Sequence, residues 1–486
     1  MRKALLEKKW NYSWILIIII TIIAYYPVLK NGWVNWDDGG YVLQNSLVKS
    51  LSIDGIRAIF SEWNVVGNYH PLAVFSLAID FAIDGYKPYV FHSHNLILHL
   101  CNALLVFIFV SKLFGSHRMA FLVAILFSIH PLHLEPVAWV SSRKDLLYSF
   151  YILLGLLAYL KYVNTNDKRK RLQYYGLCMV LFICSLLSKS MAIVFPVFIL
   201  LIDYLKYRPY NKKVLIEKAP FFLISLIFVY ITFYTQNLEG AIIHESQLSI
   251  LQKVSIACTS TCIYILKALV SFQLSPFHPY PFQSAENFPF VYYFGLLIIP
   301  LLFVLFRYSK NRILIFGSFF FIVSLLPVLQ IIPVGRAMMA ERYTYIAYIG
   351  LFIIVAFYME QLAKRLSDFK VVLLRISQVF YLVILIIITQ RQTAIWKNGN
   401  SLWSAVIKQY PNDYFAFFSR ADYFVKAGDP EAALTDLNKS VQLYPHFAKS
   451  LNQRGQIFNQ KGEIKSAIVD FKKAIEADSN MQKPYL

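Results

Sequence analysis

Long apolar runs separated by short polar connections fill the chain down to about residue 390. Runs of roughly 17–25 residues are long enough to cross a bilayer as helices. They lie near 12–29, 90–111, 118–134, 146–163, 173–188, 190–205, 219–235, 290–306, 313–329, 343–361 and 372–389, which predicts eleven spans. The apolar stretch 253–271 is interrupted by Lys253 and Lys267. Counting it as a crossing would place the basic loop 307–312 outside, so it reads as a re-entrant or interfacial helix. The first run ends in Tyr25-Tyr26-Pro27-Val28-Leu29-Lys30 without a small-residue cleavage pattern, and is expected to stay as an anchor.

Beyond 390 the pattern becomes that of a soluble helical segment with a 34-residue period. Tyr410/Tyr444, Pro411/Pro445, Ala421/Gly455, Gly428/Gly462, Ala433/Ala467, Asp436/Asp470 and Leu437/Phe471 repeat at that offset. This is the tetratricopeptide length, with small residues where helices approach and glycine between them. A half-repeat, Ser401–Ile407, precedes the first pair, giving about 2.5 repeats. The expected organisation is all-α: a polytopic bundle over 1–390 with a large first outer loop at 30–89, then a repeat solenoid over 391–486.

Composition agrees, with 58% hydrophobic and only 15% charged residues. The net charge of +20 would suggest nucleic acid if it formed one polar face. Instead, the connections on one side hold 23 bases and six acids, the opposite connections 11 bases and 12 acids, and the repeats 13 and 9. That asymmetry is the positive-inside pattern. It predicts a cytoplasmic N-terminus and extracytoplasmic repeats, and no nucleic-acid partner. The five cysteines fall in apolar stretches and read as packing residues.

The polar clusters gather on the outer side. The first outer loop opens Asn31-Gly32-Trp33-Val34-Asn35-Trp36-Asp37-Asp38-Gly39-Gly40. Adjacent carboxylates sharing one site would raise one pKa and let it accept a proton; a polar turn beside an aromatic belt is the plainer alternative. The second loop carries His130, His133, Glu135, Arg143, Lys144 and Asp145. Ionisable groups at such a depth are functional candidates. The i, i+3, i+5 spacing of His130, His133 and Glu135 does not fit a regular zinc site, so no metal is expected. Arg143 and Lys144 are suited to an anionic headgroup or phosphate. The hairpin Ser188-Lys189-Ser190, the rigid Pro276–Pro281 and the run Gly335–Tyr343, with Arg342 and Glu341, add further outer polar positions. No Walker pattern marks the inner side. A non-enzymatic scaffold docking partners on the repeats and a lipid-linked glycan transporter are the competing readings. A transporter should hold its polar residues near the midplane of duplicated halves, and neither feature is visible here.

Trp36-Asp37-Asp38, Tyr69-His70-Pro71-Leu72, Phe91–His99, His130–Trp139 with Arg143-Lys144-Asp145, and Ala340-Glu341-Arg342-Tyr343 occur in this order. In them the chain resembles bacterial polytopic tetratricopeptide-repeat proteins of the GT-C glycosyltransferase class. It also resembles the transmembrane and tetratricopeptide-repeat O-mannosyltransferases. The resemblance implies transfer of a sugar, mannose at the family level, from a polyprenyl-phosphate carrier by an inverting displacement on the extracytoplasmic face of a bacterial plasma membrane. It implies a catalytic role for Asp37 and Asp38, phosphate binding by Arg143, Lys144 and Arg342, and support from His70, His130, His133, Glu135, Asp145 and Glu341. The lipid-linked sugar is the only non-protein requirement it implies, and the repeats would present a protein acceptor. Gly39-Gly40 departs from the bulkier or charged residues that often follow the acid pair in relatives, which leaves acceptor range open.

Overall fold

The computed structural model describes residues 12–238, 248–280 and 285–478. The architecture is all-α; the one sheet among the described residues is a two-stranded antiparallel pairing of His278–Pro279 with Ala337–Met339. Among the described residues eight helices are long and apolar enough to cross a membrane: Ser13–Lys30, Pro88–Phe114, Val140–Asn164, Lys168–Ser188, Lys212–Leu238, Phe290–Tyr308, Glu341–Arg365 and Asp368–Lys397. The bent pair His117–Ile129 and Pro131–Ala138 would make a ninth, and Ser190–Leu205 and Arg312–Val328 are shorter apolar helices. Each of the eleven expected runs thus falls on a helix, but three are too short or too bent to span as one straight segment. The chain is an integral membrane protein. The 253–271 stretch is the helix Ile250–Leu269, whose interrupting Lys267 is buried.

Local chemistry explains the breaks. Pro131 has no N–H to donate, and residues before proline avoid the helical region; His130 is extended at φ −67°, ψ 130°. The result is a 60° bend that turns the segment 131–142 across the end of the bundle. Helices Arg312–Leu325 and Thr344–Arg365 pack through glycine: a Cβ on Gly350 would lie 2.4 Å from the Gly317 carbonyl, and one on Gly317 2.6 Å from that of Gly350. Such small-residue crossings let membrane helices approach closely.

The first outer loop is itself structured, with helices Ile53–Ser61 and Pro71–Asp84. Ser52 Oγ caps the first by accepting from the Gly55 amide at 3.1 Å, a common N-cap. Between Lys30 and these helices, residues 31–43 run over the mouth of the bundle. At the other end of the chain, the single helix Gly399–Gln409 precedes two antiparallel pairs, Tyr414–Ala427 with Pro430–Leu443 and Ala448–Gln460 with Ile464–Ala477. Gly428 (φ 79°) and Gly462 (φ 80°) take the left-handed turn conformation between the helices of each pair. Arg420 bridges Asp436 and Ser404, and Arg454 bridges Asp470 and Asn438. All three positions recur at the 34-residue offset, so Gly399–Gln409 occupies the place of a second repeat helix. Leu402, Trp403, Val406 and Ala416 belong to the same buried apolar cluster as the bundle. The array is therefore packed onto the membrane helices without a flexible linker.

Candidate functional site

The two carboxylates of the first loop have different surroundings. Asp38 is buried. Its Oδ1 accepts from the amide and hydroxyl of Ser141 at 3.0 and 2.5 Å, and its Oδ2 from the Val34 amide at 3.1 Å. Burial nonetheless outweighs these bonds and lifts Asp38 to about 6. Asp37 is 24% exposed, with Lys144 Nζ 3.5 Å from its Oδ2. Asp38 therefore pins the loop to the start of the Val140–Asn164 helix, and Asp37 is the member open to a bound molecule.

Three cations from three separate segments cluster here, and one of them, Lys144, reaches Asp37. Lys144 lies 4.2 Å from the Tyr41 ring centroid. Lys189, extended in the turn between two helices, donates to Asp145 Oδ1 at 2.6 Å, and burial lowers it to about 8. Arg342 donates through Nη1 and, at 2.9 Å, through its amide to Glu135. The three are close enough to feel each other's charge. Their side chains are only 9%, 10% and 14% exposed, so each sits largely out of water. Buried cations close together are costly unless neutralised. Asp145 and Glu135 supply the opposite charges, and Asp145 Oδ2 has no hydrogen-bond partner. Above them, Trp36 stacks on Trp139 at 4.7 Å, with the Arg342 guanidinium 5.8 and 5.2 Å from the two rings. Such an enclosure strengthens electrostatic interactions inside it.

His70 stands at the edge. The Ser190 amide, which can only donate, lies 3.4 Å from Nε2, leaving the Nδ1 proton toward the Tyr41 hydroxyl at 3.5 Å. Burial and the nearby Lys144 and Lys189 hold His70 well below the usual imidazole range, so it is neutral.

Four expected members lie elsewhere. Arg143 is fully buried and turned away from Lys144: it donates to Asp80 at 2.5 Å, Ser76 at 2.8 Å, the Phe91 carbonyl at 2.9 Å and Asn95. With its donors spent on protein oxygens it cannot serve as a phosphate ligand. Nor are His130 and His133 at the site. They pack among Tyr345, Tyr348 and Phe352, and bond the Ala268 and Phe127 carbonyls at 3.3 and 2.7 Å. Glu341 points opposite to Arg342, accepting from the Ser275 amide at 2.9 Å beside Lys267 and His278. Among the described residues no group of three or more His, Cys, Asp or Glu is placed to hold a metal ion.

Lys189 and Tyr41 complete the site without having been singled out as ligands in the sequence. The only hint was a lysine in a two-helix hairpin on the outer side; Tyr41 carried none.

The tetratricopeptide repeat model matches residues 448–481. Protein O-mannosyl-transferase TMTC2 of Mus musculus is 32% identical over 130 residues, 26% of this chain and 15% of that protein. Over longer stretches, Protein O-mannosyl-transferase TMTC1 of Homo sapiens is 23% identical across 449 residues, 82% of this chain and 50% of that protein. Protein O-mannosyl-transferase F38B6.6 of Caenorhabditis elegans is 23% identical across 429 residues, 82% and 58% respectively. The matches thus span from 15% to little more than half of these relatives' length. Among solved structures, that of ArnT from Cupriavidus metallidurans bound to undecaprenyl phosphate aligns at a TM-score of 0.40 and 13% identity. The alignment covers 96% of this chain and 76% of that one. The chain resembles the O-mannosyl-transferases over most of its length.

Proposed function

We propose that this protein is a membrane glycosyltransferase that moves a sugar from a polyprenyl-phosphate carrier to an acceptor hydroxyl on the extracytoplasmic face. The observation that carries the reading is the cluster of Lys144, Lys189 and Arg342, which feel each other's charge, with Lys144 against Asp37, the one carboxylate of the acid pair open to a ligand. The relatives are O-mannosyl-transferases, which makes mannose the first sugar to test. A protein segment presented by the repeats is the first acceptor, since helical-repeat surfaces suit extended peptides.

In this reading Asp37 accepts the proton of the acceptor hydroxyl as its oxygen attacks the anomeric carbon. The bond from that carbon to the phosphate oxygen breaks in the same step, and its electron pair leaves with the polyprenyl phosphate. Negative charge grows on the departing phosphate, so the three cations bind the transition state more tightly than the ground state. Asp38 sets the position of Asp37 and does not touch substrate. The test is transfer from radiolabelled polyprenyl-phosphate sugars by membranes containing the full chain. Asp37→Asn should abolish transfer with expression unchanged, and full activity in that variant would refute the role given to Asp37.

A further inference from the structure

The loop that carries the acid pair is tied to the bundle on one side, through Ser141, Lys144 and Trp139, and to the C-terminal part of the chain on the other. Asn31 Nδ2 donates to the Thr393 carbonyl at 3.2 Å, and the Gly32 amide to the Lys397 carbonyl at 2.9 Å. Asn35 is the main tie. Its Nδ2 donates to the Ser419 carbonyl at 2.7 Å and to Asp422 Oδ2 at 3.1 Å, and its Oδ1 accepts from Trp403 Nε1 at 3.2 Å. Gly399, the first residue of the leading array helix, leaves room for this: a Cβ there would lie 1.9 Å from Asn35 Oδ1 and 2.7 Å from Tyr423 Cδ2. On either side of Asn35 stand Val34, whose amide holds Asp38, and Trp36, which stacks on Trp139. None of the three cations lies on this loop.

We propose that Asn35 is a positioning residue for Asp37, acting through Trp403, Ser419 and Asp422, so that the first part of the repeat array forms the back wall of the transfer site. The array then does more than recruit an acceptor. Any displacement of its first helices moves the acid pair relative to the fixed cations. This rests on the transfer reading above, but hydrogen exchange reads the tie without any reaction, so the two can fail separately.

The test uses the full chain in lipid nanodiscs and three variants: Asn35→Ala, Gly399→Ala and the two combined. Alanine is a better helix former than glycine, so helix propensity alone predicts that Gly399→Ala leaves the site intact or firmer. The expected result is the reverse. Amide exchange of residues 33–42 rises about tenfold in each single variant, and kcat falls at least tenfold while the donor KM stays within twofold. The combined variant is within about twofold of Asn35→Ala, because the nearer of the two groups that Gly399→Ala would strike is already gone and only Tyr423 Cδ2 remains in its way. Exchange and kcat within twofold of wild type in Gly399→Ala would overturn the proposal. So would multiplicative losses in the combined variant, or loss of protection through the Ala448–Gln460 helix, which would make the contact a folding prop. If the wild-type chain transfers no sugar, the function reading falls, and exchange over 33–42 alone decides this one.

Discussion

Replacing Arg143 separates structural from ligand-binding charge most sharply. Arg143 and Asp80 are both fully buried, and the guanidinium also serves Ser76, Asn95 and the Phe91 carbonyl. Arg143→Met keeps the packing volume but leaves Asp80 with only the His94 ring, 2.6 Å from its other oxygen, of its two charged or titratable partners. Removing one member of a buried ion pair costs about 3–5 kcal/mol, because the other charge is left uncompensated. In a chain of 486 residues, at about 1 °C per kcal/mol, that lowers the midpoint of thermal inactivation by roughly 3–5 °C. Restoring neutrality with Asp80→Asn in the same chain should recover most of the loss, since swapping a whole buried pair for neutral groups is often nearly free. The assay is the fraction of monodisperse protein left after heating in detergent, read beside the Kd for polyprenyl phosphate. A variant as stable as wild type but tenfold weaker for polyprenyl phosphate would refute the assignment and return Arg143 to the phosphate site.

Other consequences can be checked alongside. Lys189→Gln should lower kcat about 10²-fold, as loss of one preorganised transition-state contact commonly does; a change under threefold would remove Lys189 from the site. Because burial holds Lys189 near 8, it loses its proton as pH rises through that value. The kcat/KM of the wild type should therefore fall above pH 8, and Lys189→Arg should carry the alkaline limb higher. Asp38, lifted to about 6 from an ordinary 3.8, keeps a proton in the folded chain that the unfolded chain releases. Its contribution to stability is full below pH 3.8 and lost as pH rises through about 6, a change of about 3 kcal/mol. Thermal midpoints of Asp38→Asn measured from pH 4 to 7 should lack that decline. Gly350→Leu, driven into the Gly317 carbonyl, should destabilise the chain by more than about 2 kcal/mol through overpacking; an unchanged midpoint would contradict the close crossing.

The periodic features were legible because they are local. The 34-residue repeat declares itself through matched glycines and alanines, and it recurs in space as the Arg420–Asp436 and Arg454–Asp470 pairs. Apolar run length marked the helices, although Pro131 bent one and 190–205 proved short. Of the polar positions picked out between the runs, Asp37 and Lys144 are in contact, and Arg342 is close enough to Lys144 to feel its charge. Adjacent residues were harder to assign. On a helix, neighbours point about 100° apart, so Arg143 and Lys144 could not both face one ligand, and spacing alone does not say which one does. The same holds for Glu341 and Arg342. His130 and His133 look exposed to chemistry in sequence, but aromatic residues more than 200 positions away bury them. Asp80, the partner that claims Arg143, lies 63 residues upstream of it, and no local pattern links the two.

The proposed reaction is a single displacement, with Asp37 taking the proton and the three cations taking the leaving phosphate. The most direct measurement is the anomeric configuration of the product, read by NMR coupling after turnover of a polyprenyl-phosphate mannose of known configuration by the purified full chain. A single displacement gives inversion, with one polyprenyl phosphate released per acceptor modified. A product that retains the donor's configuration would require a covalent intermediate and contradict it.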